Sequence, residues 1–202
     1  MEMSDFLQIV KRQWIVIAII TLLAVVAALV FSFVQKPVYE ARATCVVSPT
    51  TSGASEYAAV QVISTLLHTI NEIAVSSPVL EGAAQRLGAA VDLNQLKQDV
   101  ASQVITDTQI IAISVRDEKP VKAMNKANAV AVSLVDYVNK MTGEKSSYKI
   151  EQLEPATAPK SPVSPRPVKN GIIAFILGLI LGTITAIVID SKPRWTNTHN
   201  SL

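Results

Sequence analysis

The residues able to carry chemistry in this 202-residue chain are few and far apart. There are two histidines and one cysteine. General acid–base work needs a titratable group with a partner that orients it. His68 lies in a stretch of helical periodicity and His199 in the last four residues, and no Ser–His–Asp set is present. A single helical histidine reads most simply as a surface residue. The carboxylates Glu56, Glu72, Glu81, Asp92 and Asp99 are scattered and fall at helix caps and solvent faces. Cleavage of a glycan needs two facing carboxylates, and the sequence marks no such pair. It also lacks a Cys/His spacing of the kind that binds metal. Cys45, in "ATCVV", reads as a small buried strand residue, with a bridge between chains as the sharper alternative. "TGEKSS", Thr142 to Ser147, is a faint echo of a phosphate-binding loop without its first glycine, and reads as a polar turn. The chain is therefore not expected to be an enzyme, and no catalytic, cofactor or metal site is assigned.

Composition points elsewhere. Half of the residues are hydrophobic, yet only 5% are aromatic, and the net charge is +2. That charge, with no basic run interleaved with aromatics, argues against nucleic acid as a partner. The apolar excess is concentrated in two uncharged runs. Trp14 to Val34 has 21 residues and Gly171 to Ile189 has 19. A hydrocarbon core of ~30 Å takes roughly 20 helical residues, and in lipid only a helix or closed barrel satisfies the backbone. The first run is longer than the apolar region of a signal peptide, and no small-x-small cleavage site precedes Pro37. Both runs are expected to be transmembrane helices, making a hairpin with both termini on one side. The expected divisions are a tail at 1–13, helices at 14–34 and 171–189, a domain at 35–153, a proline-rich segment at 154–170 and a tail at 190–202. Basic residues flank the helices on both sides, so charge does not decide the orientation.

Between the helices the pattern alternates between strand and helix. Val38 to Val47 is rich in β-branched residues and reads as a strand. Tyr57, Val60, Ile63, Leu67, Ile70 and Ala74 recur at helical steps across Glu56 to Val75. Ser77–Pro78 opens a short helix, with Ser77 as N-cap, that stops at Gly88, and Asp92 caps another. "TQIIAISVRD" is the clearest strand. A long helix follows from Val121 to Lys140, with Met124, Ala127, Ala131, Leu134 or Val135, and Val138 on its apolar stripe. "YKIEQLEPA" returns as a last strand, expected to pair beside the first. The expected fold is an α+β domain between two transmembrane helices.

Two further patterns concern position rather than reaction. Five of the ten prolines fall between Pro155 and Pro167. Proline fixes φ and removes a donor, so sixteen residues of extended chain could span about 50 Å as a stiff tether. Asn170 is the expected N-cap of the helix beyond it. Within that helix Ala174, Gly178, Gly182 and Ala186 recur every fourth residue, with a weaker counterpart in Ala24, Ala28 and Ser32. Small residues allow close backbone packing in lipid, so the stripe marks a helix–helix contact, within one chain or between neighbours.

Together, "PVYEARATCVVSP", "SSPVLEGAAQRLG", "DTQIIAISVRDEKPVKAMNKANAVAVSLVDYV" and "EPATAPKSPVSPRPVKNGIIAFILGLILG" resemble the chain-length-determinant family, the polysaccharide co-polymerases, over essentially the whole chain. The most specific part is the proline motif Pro155, Pro159, Pro162 and Pro165 ahead of a glycine-bearing helix; Ala123, Asn128 and Ala129 also stand at matching places. The resemblance implies termini in the cytoplasm and the domain outside a bacterial plasma membrane. It implies a ring-like homo-oligomer that works with a membrane polymerase on nascent capsular polysaccharide or exopolysaccharide. The chain shows neither the long outer coiled coil nor the fused kinase of many relatives, and so resembles the short split form of Gram-positive bacteria, an adaptor for a separate cytoplasmic tyrosine kinase. For that role Lys192, Pro193, Arg194 and Trp195 are the expected docking residues, with Trp195 as anchor or, in the rival reading, as a membrane-interface residue. The alternative function is a membrane-anchored sensor or receptor subunit. A short tail that can only dock on something else favours the adaptor.

Overall fold

The computed structural model describes residues 11–50, 65–88, 91–143, 146 and 148–191. The chain divides into two compact units, residues 37–164 and a unit of residues 1–36 with 165–202.

The unit of residues 37–164 is built on a four-stranded antiparallel sheet. Its strands are β1 (Tyr39–Pro49), β2 (Val100–Val104), β3 (Ile110–Asp117) and β4 (Tyr148–Glu154), in the order β2–β3–β1–β4. The first and last strands do pair side by side. Helices accompany the strands: α2 (residues 65–74), α3 (Ser77–Leu87), α4 (Leu93–Asp99) and α5 (Pro120–Thr142). Alternation along β1 buries Ala41, Ala43, Cys45 and Val47 on one face, against α5, whose Ala123, Ala127, Ala131, Leu134 and Val138 are buried. Strand period two and helix period 3.6 thus meet in one aliphatic core, completed by Leu80, Leu96, Ile111, Ile113 and Ile150. A register shift between Thr44 and Cys45 leaves Leu153 as the extra residue of β4, a bulge at the sheet edge.

Several details differ from the sequence reading. β2 is an additional strand, too short at five residues to show a period. It forms a hairpin with β3 around Asp107, whose φ is 59°. Ser76, not Ser77, is the N-cap of α3, and its hydroxyl donates back to the Ile73 carbonyl. Asp92 caps α4 as expected, its carboxylate accepting the Asn94 N–H at 2.9 Å. Residues 56–64 of the expected first domain helix lie outside the described residues.

The other unit holds two long apolar helices, α1 (Trp14–Val34) and α6 (Pro167–Ser191), packed on each other. Both are long and apolar enough to cross a membrane. α6 starts at Pro167, four residues before the apolar run. Asn170 is consequently not an N-cap but lies in the first turn, its N–H bonded to the Arg166 carbonyl. Proline at the first helical position has φ preset and needs no N–H partner, which lets the helix begin at the end of the strap.

Candidate functional site

The proline motif is divided between the two units. Pro155, Pro159 and Pro162 belong to the sheet-bearing unit and Pro165 to the helical one. From 155 to 163 the chain has no regular structure, yet within its unit it is held near both ends. At the start, Asn128 on α5 grips Ala156: its side-chain carbonyl accepts the Ala156 N–H at 2.8 Å and its amide donates to the Ala156 carbonyl at 3.0 Å. The same carbonyl oxygen accepts from Gln152 at 3.2 Å. At the far end Val38 donates to Ser164 and accepts from Val163, both at 2.8 Å. Asn139, three turns along α5, repeats the grip on Ile150, donating to its carbonyl at 2.9 Å and accepting its N–H at 3.2 Å. β4 is an edge strand, and an edge leaves backbone groups without partners. Asn139, with a donor and an acceptor in one plane, closes the Ile150 groups as a neighbouring strand would, and Asn128 does the same for Ala156 just beyond β4. Asn128 stands at a position that carried the family resemblance; Asn139 was missed, and its only sequence signal is a polar side chain among the apolar positions of a buried helix.

In the helical unit the small-residue stripe meets α1 of the same chain. Gly178, Gly182 and Ala186 are buried and Ala174 is half-buried. A Cβ on Gly178 would lie 2.9 Å from the Thr21 Cα and 3.2 Å from the Ala24 Cβ, and one on Gly182 would lie 3.1 Å from the Ile17 Cα. Only glycine fits such an approach. Ala24 and Ser32 of the weaker stripe take part, Ser32 by accepting from the Asn170 amide at 3.3 Å. The other ends of the helices are tied by an ion pair of Arg12 with Asp190, at 2.6 Å. These polar pairs were also missed, because their members are more than a hundred residues apart in sequence.

Among the described residues, the candidates for chemistry do not gather in one site. His68 and Glu72 are exposed on α2 and Glu81 is exposed on α3; Glu56 and His199 lie outside the described residues. So do Lys192, Pro193, Arg194 and Trp195, and most of the "TGEKSS" turn. Among the described residues, no group of three or more His, Cys, Asp or Glu is placed to hold a metal ion. Cys45 is fully buried, and burial pushes its thiol up to about 11.

One charged cluster is largely withdrawn from solvent. Lys126 bridges Asp117 at 2.7 Å and Asp99 at 3.0 Å, with 12% of its side chain exposed. Asp117 also accepts the Lys119 N–H at 2.9 Å at the entry to α5. Burial alone would raise the Asp117 carboxyl. The Lys126 hydrogen bond, the Lys119 N–H and the charges of Lys126 and Lys122 hold it below its ordinary value. Burial alone would lower Lys126, and its hydrogen bonds to Asp117 and Asp99 hold it above.

The family model described as chain length determinant protein (Wzz) matches residues 1–87. The capsular polysaccharide biosynthesis protein CpsC of Streptococcus agalactiae is 29% identical over 204 residues, covering 98% of this chain and 87% of the relative. The probable capsular polysaccharide biosynthesis protein YwqC of Bacillus subtilis (strain 168) is 28% identical over 181 residues, covering 88% of this chain and 73% of the relative. A solved structure described as a full-length bacterial polysaccharide co-polymerase shares the fold with a TM-score of 0.52 at 13% identity, covering 94% of this chain and 98% of that one.

Proposed function

We propose that this chain, a relative of chain-length-determinant and capsular polysaccharide biosynthesis proteins by sequence and of a co-polymerase by fold, is a non-enzymatic polysaccharide co-polymerase of a bacterial plasma membrane. Its sheet-bearing domain stands outside and its termini lie in the cytoplasm. Copies assemble in a ring beside a membrane polymerase and regulate the chain length and export of a capsular polysaccharide or exopolysaccharide. The tail beyond Asp190 acts as the adaptor that activates a separate tyrosine kinase.

The observation that carries this reading is the match across almost the full length to capsule biosynthesis proteins, joined to an architecture of two apolar helices flanking an α+β domain. The strap is suited to a part that holds partners in place. It is stiff and fixed to the domain at Ala156 and at Val163–Ser164. The test is the size distribution of the surface polysaccharide in the bacterium that encodes the chain. Deletion should shift or broaden the distribution, and the restored gene should return it. Unchanged polymer in the deletion strain contradicts the reading. The adaptor role has its own test: Trp195→Ala should lower phosphorylation of the kinase with membrane insertion intact, and unchanged phosphorylation removes it.

A further inference from the structure

Charge is distributed unevenly along the helix pair. No Asp or Glu occurs between Phe6 and Tyr39 or between Pro155 and Ile189, whereas Lys36, Arg166 and Lys169 stand beside the apolar runs. The structure brings these three cations to one end of the pair. α1 ends at Val34 and α6 begins at Pro167. The helices are joined there by the Asn170 amide, which donates to the Ser32 hydroxyl at 3.3 Å, and Gly171 packs on Leu29. Lys36 follows Ser32 by one helical turn, Lys169 directly precedes Asn170, and the Arg166 carbonyl accepts the Asn170 N–H. Lys36, Arg166 and Lys169 are all exposed. Among the described residues of this unit the one carboxylate is Asp190, which sits at the opposite end and pairs with Arg12.

The end of an apolar helix pair is the level of the lipid headgroups. A basic residue there ordinarily serves as an anchor, its alkyl stem along apolar surface and its charge in water. Three cations that the same unit balances with no carboxylate do more than anchor. They set up a positive field in a layer where the available anions are headgroup phosphates, and cations near a charged leaflet gain from each such contact. A guanidinium fits two phosphate oxygens at once, and an ammonium adds a compact charge. No role given above uses these three residues. The cluster lies at the end from which the chain runs into the sheet-bearing unit, so it meets the leaflet on that side of the membrane.

We propose that this end of the helix pair binds the anionic phosphate headgroup of a membrane lipid, with Lys36, Arg166 and Lys169 as its counter-charges. The inference needs the helix pair to span a membrane and does not depend on the co-polymerase reading. The experiment uses the full chain with Trp14→Phe, Trp195→Phe and Phe33→Trp. Phe33 is exposed, three residues from Lys36, so the single tryptophan reports lipid contact at this end. The chain is reconstituted in vesicles that mix brominated phosphatidylglycerol with plain phosphatidylcholine, or the reverse, because bromine quenches a tryptophan it touches. Phosphatidylglycerol should be preferred by about threefold or more, and the preference should shrink as salt rises. Lys36→Gln with Arg166→Gln and Lys169→Gln should abolish the preference, while quenching by brominated phosphatidylcholine alone stays as proof of insertion. Lys11→Gln, at the other end, should leave the preference as it was. The phosphate could belong to a phospholipid or to a polyprenyl diphosphate carrier, and competition tells them apart. Relief of quenching by a little unbrominated polyprenyl diphosphate assigns the site to the carrier, and unrelieved quenching assigns it to the phospholipid. Equal quenching by the two brominated lipids in the tryptophan reporter overturns the proposal and makes the three cations plain interfacial anchors. So does a preference that the triple variant leaves intact. If the triple variant does not insert, the salt series still decides: a preference indifferent to salt overturns the proposal.

Discussion

The helical unit and the sheet-bearing unit solve the problem of specific contact in opposite ways. Between α1 and α6 the contact is made by missing side chains: Gly178 and Gly182 let one backbone approach the other, and the large apolar side chains point outward. In lipid an outward leucine gains as much as an inward one, so close packing and a few polar pairs decide the arrangement. In the domain the large aliphatic side chains point inward, and water supplies the driving force. What needs specific treatment there is the backbone at the β4 edge and just beyond it, and it is met by added side chains, Asn139 on Ile150 and Asn128 on Ala156. The same polypeptide thus uses glycine where the solvent is hydrocarbon and asparagine where it is water.

That contrast can be broken most severely in the helix pair. Gly178→Leu with Gly182→Leu places side chains where the Thr21 and Ile17 backbone already lies. Overpacking costs about 1–3 kcal/mol per site in a packed core, enough to separate the helices. Crosslinking between Arg12→Cys and Asp190→Cys, in a Cys45→Ala background, should fall more than tenfold in the double leucine variant. Undiminished crosslinking would mean that the stripe does not set the pairing. Leu134→Ala is the corresponding change in the domain, where a fully buried leucine is worth about 2–5 kcal/mol. Pulse proteolysis in urea should report that loss, while the helix crosslink stays as it was.

The sequence made the helical unit legible because two runs without charge admit few other structures. It also made the strap and the apolar face of α5 legible, because proline fixes the backbone and alanine, leucine and valine repeat at the helical period. β2 escaped because five residues carry no usable period. The start of α6 was displaced because Pro167 reads equally as the last residue of a strap or the first of a helix. The grips of Asn128 and Asn139, and the Lys126 cluster, were not legible as contacts at all. They join residues brought together only when α5 lies across the sheet, and an isolated asparagine or lysine does not announce its partner.

A smaller effect sharpens the domain side. Asn139→Leu leaves the Ile150 N–H and carbonyl without their partner, and a buried backbone group left unpaired costs about 1–3 kcal/mol. Urea stability of the domain should fall by that amount, and the Ile150 amide should exchange much faster. The same substitution at Asn128 should expose the Ala156 amide and loosen the start of the strap. Equal exchange in variant and wild type would show that the amides do not protect the edge.

The smallest expected effect is on pH dependence. Asp117 titrates below its ordinary value of 3.8 in the folded chain, so its contribution is present above that pH and is lost as acid protonates it. Lys126 titrates above its ordinary value of 10.5, so its contribution is full below that pH and is lost as pH rises through the folded value. Cys45 ionises near 9.0 when unfolded and near about 11 when folded, so stability declines with pH across that interval. The domain should therefore be most stable between about pH 4 and pH 9, and Cys45→Ala should flatten the first part of the alkaline decline. An alkaline limb unchanged by Cys45→Ala would assign the decline to other groups.

The central claim is that this chain shapes a polymer without forming its bonds. It is tested most directly by reconstituting the full chain in liposomes with a membrane polysaccharide polymerase and a lipid-linked repeat unit, and measuring product length. The account predicts a defined modal length with both proteins, a broad distribution with the polymerase alone, and no product with this chain alone. Polymer formed by this chain alone, or a length distribution indifferent to its presence, would contradict it.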